Sequence, residues 1–182
     1  MGLPIIQTII TLHSHVLINL MQPPSILFQT SEPWVLKTYD SFEELTRWLQ
    51  PQLSEEKGFR LITIDGHKMQ TASTFYDELI SIFKLPNYFG RNLNALSECL
   101  SDLEWIKSSG FIILIQNAED VLRLEAPEKL EGFLDTLKSA GNEWRQAVNY
   151  GTTWNRTPTP FHAVLLCNKH SWMDEIPAFT VK

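Results

Sequence analysis

The run GFIILI at 110–115 carries no polar residue to mark an outward face. A short, unbroken, β-branched run of this kind is a strand buried on both sides, the situation of a parallel sheet packed between helices. Two further runs match it: FRLITID at 59–65, which closes on Gly66, and FHAVLLC at 161–167. The segments between them have apolar residues at helical spacing. Ser73 is read as the cap of a helix carrying Phe75, Leu79, Ile82 and Phe83, which Leu85-Pro86-Asn87 ends, and a second helix spans 92 to about 102. A short helical turn fits 118–124, and Pro127 opens a long helix with Leu130, Phe133, Leu134 and Leu137 inward. Strands separated by helices pair in parallel through right-handed crossovers. The expected fold is therefore α/β, with residues 59–65, 111–116 and 161–167 as parallel neighbours in a three-stranded, helix-covered sheet.

Ten Phe and six Trp among 182 residues are enough for a sizeable core, and no stretch of eighteen apolar residues suggests a membrane span. Residues 1–57 read as an N-terminal extension, 58–170 as the main domain and 171–182 as a tail. The first 31 residues carry no charge, yet they lack the form of a signal peptide. No Lys or Arg precedes the apolar stretch, and Pro4 and His13-Ser14-His15 interrupt it. Position 6 is Ile, which also fails the myristoylation pattern, and Met21 is an alternative start. Residues 25–29 and 34–39 are read as a short hairpin. Ser41 with Glu44 then forms a capping box for an amphipathic helix that Pro51 stops. Cys99 and Cys167 fit no metal spacing and read as buried thiols, which favours a reducing cytoplasm.

The net charge of −6 disfavours a binder held by nucleic-acid phosphates. Residues 98–135 hold nine acids against Lys107, Arg123 and Lys129, so this stretch alone carries the whole excess. On a helical wheel Leu93, Leu96, Cys99, Leu100 and Leu103 share the core side. Arg91, Asn94, Glu98, Ser101 and Asp102 share the other, with Asn94, Glu98 and Asp102 at four-residue steps. Tyr88, Phe89 and Gly90 enter this helix and offer a rigid aromatic beside a close-approach glycine. An acidic face next to an aromatic complements a cationic phosphate-binding site, because carboxylates can take phosphate positions. The alternative is a solvated helix face.

Ile64-Asp65-Gly66, Leu85-Pro86, Tyr88-Phe89-Gly90, Asn92-Leu93, Ala95-Leu96, Cys99-Leu100, Asp102-Leu103 and Trp105 occur in the order and spacing of a known family. On these residues the chain resembles the barstar family of intracellular ribonuclease inhibitors, from 59 to about 168. The resemblance implies a stoichiometric inhibitor of a ribonuclease or nuclease toxin, an immunity protein without catalysis, cofactor or metal. Its partner would be a basic protein, and neither nucleic acid nor membrane would be bound directly. It implies a contact surface of Tyr88, Gly90, Arg91, Asn94, Ser97, Glu98, Asp102 and Asp135. Tyr88 is the loop tyrosine, and Glu98 stands for the acid in the phosphate position. Asn94 and Ser97 replace an acid and a tryptophan, and Asp135 lies beside Thr136, where a later glutamate falls. Trp105 and Glu104 extend the surface.

Two other readings stay open: an interaction module for a different basic protein, and a small α/β hydrolase using Asp65 and His67 at a strand's carboxyl end. Asp65-Gly66 is also a plain turn. His13 and His15 are two metal ligands without a third, and His162 reads as a core histidine. The segment from Trp144 to Trp154 reads as an insertion before the last strand.

Overall fold

The computed structural model describes residues 24–53, 58–149, 151, 155–168 and 172–181. The leader with His13, His15 and Met21 lies outside them, as does Trp154. Five strands form one parallel sheet: β1 Val35–Thr38, β2 Phe59–Asp65, β3 Gly110–Gln116, β4 Phe161–Leu166 and β5 Ala178–Phe179, in the order β2-β3-β4-β1-β5. The three runs expected as neighbours are neighbours: Ile62 pairs with Ile113, and Ile113 with Ala163.

The hairpin expected over 25–29 and 34–39 is corrected. Pro24–Phe28 is a 3-10 turn, and β1 pairs with β4 and β5, so the sheet has five strands rather than three. Prolines at 24 and 33 suit turns, and of the six residues between Pro33 and Asp40 only four form a strand.

Each face of the sheet has its own cover. Helix α1, Phe42–Leu49, opens on the expected Ser41–Glu44 capping box and gives way to a 3-10 turn holding Pro51. Its Leu45 and Leu49, with Ile26 and Leu27, bury Leu36, Ile112, Leu114, Val164 and Leu166. Each such side chain contributes about 1.5–3 kcal/mol when removed from water, so this back layer is a major part of the core. The front face packs against α2 Ala72–Phe83, α3 Leu93–Asp102 and α4 Pro127–Trp144. Helix α2 begins two residues earlier than the expected Ser73 cap. Thr71 caps it, and the Thr74 hydroxyl closes the box that a Glu or Gln usually closes.

Helices α3 and α4 run side by side in one direction. At one end Leu93 fills the space that a Cβ on Gly132 would occupy, its Cδ1 lying 2.7 Å from that position. At the other the Trp144 indole donates to the Leu100 carbonyl at 2.7 Å. Among the described residues no helix is long and apolar enough to cross a membrane.

Candidate functional site

Helix α3 has the amphipathic character the wheel requires. Leu96, Leu100 and Leu103 are fully buried, while Leu93 and Cys99 are only half-buried, because the first turn of α3 and its flank reach the surface. Asn94, Glu98 and Asp102 are exposed together, and Ser97 and Ser101 are half-buried beside them. Asn92 caps the helix by accepting the Ala95 amide at 2.9 Å and donates to the Gly90 carbonyl at 3.0 Å. A Cβ on Gly90 would stand 2.9 Å from the Asn92 side-chain nitrogen, so a larger residue there would have to displace the capping side chain. Leu103 ends α3 in the left-handed region, its amide donating to Cys99.

Tyr88 is 88% exposed, with Leu85 and Phe89 buried on either side of it. Arg91 donates to Asp77 Oδ1 at 2.9 Å and to the Ser73 carbonyl at 3.0 Å, both on α2. Sequence reading missed these contacts, since Asp77 lies 14 positions away on another helix with no pattern to link them. Asp135 is exposed on α4, where Lys138 pairs with it at 3.0 Å, while Thr136 is buried and donates to Gly132.

Past the end of α3, Glu98, Asp102, Glu104 and Glu143 line an open groove of about 760 Å³. Arg156 lies in it, 4.1 Å from the Trp144 ring, and donates to the Ser101 and Glu143 carbonyls. Trp105 is 43% exposed, with its indole donating to the Phe83 carbonyl. Among the described residues no ion pair involves Glu98, Asp102 or Glu104. Their field reaches Cys99, whose thiol is pushed up by burial and then by Glu98 and Asp102.

The other sequence candidates are engaged in the fold. The Asp65 carboxylate accepts from the His67 backbone amide at 3.1 Å and from the Asn117 side chain at 3.0 Å, whereas the His67 imidazole turns to Asp120. Asp65 and His67 therefore form a turn and not a pair with each other, and the imidazole pairs with Asp120 instead. His162 is fully buried, its ring nitrogens 3.0 and 2.9 Å from the Pro33 and Gln29 carbonyls, and burial lowers its pKa. Burial pushes the Cys167 thiol up to about 12. No group of three metal-ligating side chains occurs among the described residues.

No curated protein matches the chain. A family model does, over residues 59–165, and its description is Barstar (barnase inhibitor). That match spans more than half of the sequence, taking in β2 to β4 with the Tyr88 loop and α3, and the chain belongs to the barstar family.

Proposed function

We propose that this protein inhibits a ribonuclease or nuclease toxin by stoichiometric binding, with the outer face of α3 and the Tyr88 loop covering the enzyme's cationic active site. The observation that carries this is the placement of Glu98 and Asp102. They lie one turn apart in the second half of a helix, exposed and in no ion pair among the described residues. Like charges at this spacing cost a helix about 0.2–0.5 kcal/mol, and anions near a C-terminus oppose the dipole. Folding gains nothing from the arrangement. A cationic partner does: it would neutralise both carboxylates while Tyr88 supplies aromatic contact area without first having to be freed from the core.

Family membership supports the class of partner, and barnase is the enzyme its description names. Asn94 and Ser97 supply no charge to the surface, so Glu98 and Asp102 carry the electrostatics of α3. The test is titration of barnase with the purified chain while RNA cleavage is followed. Activity should fall to zero at equimolar protein, with an association rate that drops as salt rises and screening shortens to about 8 Å near physiological ionic strength. Full barnase activity at excess protein, together with no inhibition of other basic ribonucleases, would overturn the reading.

A further inference from the structure

We propose that Arg91 acts as a positioning residue, clamping the loop between α2 and α3 so that Tyr88 is held ready for the partner before contact. The proposal rests on the inhibitory reading of this surface. After Lys84, in the left-handed region at φ 54°, the chain doubles back along α2, so that Arg91 reaches Asp77 and the Ser73 carbonyl in the first half of that helix. Tyr88 stands near the middle of this return. Phe89 meets the Tyr76 ring edge-on at 5.9 Å, and the Arg91 guanidinium lies 5.9 Å from the same ring. One aromatic of α2 is therefore the seat for both ends of the clamp.

The backbone carries a second sign of constraint. Arg91 has φ 46°, a region a residue with a Cβ holds only when its surroundings over-determine it. Planar guanidinium geometry suits the task, since two nitrogens donate to two separate acceptors on α2. The pair with Asp77 is exposed, so its loss should scarcely change global stability. Its effect is local: an unclamped loop has to lose its freedom during binding, and that ordering subtracts from affinity.

The test uses Asp77→Ala, which leaves the loop sequence intact, and Arg91→Gly, which removes the side chain without straining the backbone. In the free protein, hydrogen exchange of the Phe89 amide, bonded to the Pro86 carbonyl at 2.9 Å, should quicken by up to about fivefold in both variants, the most an exposed pair contributes. Exchange of Leu96 and Leu100 and the melting temperature should stay as in the wild type. Barnase inhibition should weaken by a similar factor, about fivefold, and neither change should add further loss in a Tyr88→Ala background. Unchanged Phe89 exchange overturns the clamp whether or not barnase binds. Losses that add fully to Tyr88→Ala also overturn it, since Arg91 would then touch the partner itself. Quickened exchange with a wild type that inhibits neither barnase nor other basic ribonucleases leaves the clamp standing and removes the inhibitory reading instead.

Discussion

Carboxylates around the carboxyl ends of the strands and carboxylates on the outer face of α3 are treated in opposite ways. Asp40 accepts from the Thr38 and Thr180 hydroxyls and the Val181 amide, tying the last described residues to β1. Glu119 accepts the Asn168 amide, Asp120 takes both the His67 ring and Arg123, and Glu125 accepts the first amide of α2 at 2.7 Å. Each of these acids holds two segments together. Among the described residues Glu98, Asp102 and Glu104 join nothing of the kind, although they share one acidic stretch of sequence with Glu119, Asp120 and Glu125. A run of acids thus divides in three dimensions into those that build the fold and those left to meet something else.

The largest expected effect separates the two sets. Glu98→Ala should cost about 2–5 kcal/mol in barnase affinity, because a desolvated cation of the enzyme loses its counter-charge. The same change should leave the melting temperature level or slightly raised, since a like-charge pair on α3 is relieved. A fall in stability without a fall in inhibition would place Glu98 in the wrong set.

Asp40→Ala should do the reverse. Hydrogen bonds to a buried carboxylate contribute about 1.5–3 kcal/mol, so the urea midpoint should drop while the barnase inhibition constant is unchanged at temperatures where the protein stays folded. An equal loss of inhibition would mean the two regions are coupled.

Acid tests the building side through a different group. Burial lowers the His162 pKa, so the unfolded chain binds the proton more readily than the folded one. The stability this histidine supports is complete above about pH 6.5, its unfolded value, and is lost as pH falls from there through the folded pKa. A His162→Asn variant should therefore show a flatter melting temperature between pH 7 and pH 5 than the wild type, and parallel curves would refute this. The smallest effect reads the field of the free acids. Glu98→Gln removes one of the charges raising the Cys99 thiol, so alkylation at pH 8 should speed up severalfold at Cys99 and not at Cys167. Equal rates at Cys99 would show that the Glu98 charge does not reach the thiol.

Much of this architecture is legible in the sequence. Runs such as residues 110–115 have one reading because nothing in them can face water, and α3 declared its two faces through leucines at fixed steps. Strand β1 was legible as a strand over 34–39, but its place between β4 and β5 was not, since its four residues include a lysine. Lys37 lies fully inside, its ammonium held by the Trp172 and Met173 carbonyls at 2.8 Å, contacts only the folded chain creates. Strand β5 has two residues, too few for any alternation to show. The cap of α2 was misplaced because Thr71, Ser73 and Thr74 offer the same hydroxyl chemistry within one turn. At the site, the sequence exposed the face of α3 and its tyrosine, while the Arg91 contacts depended on how the loop doubles back.

The position of β1 in the sheet has a consequence for biosynthesis. Its partner β4 lies far downstream, as the 129 positions between Pro33 and His162 measure. On a ribosome, β1 and α1 leave the exit tunnel first, yet no surface exists to receive them until β3 and β4 have been made. The nascent chain must therefore carry Leu36, Leu45 and Leu49 uncovered while the α3 surface assembles from local segments. On the inhibitory reading proposed above, the binding face would be complete before the fold is.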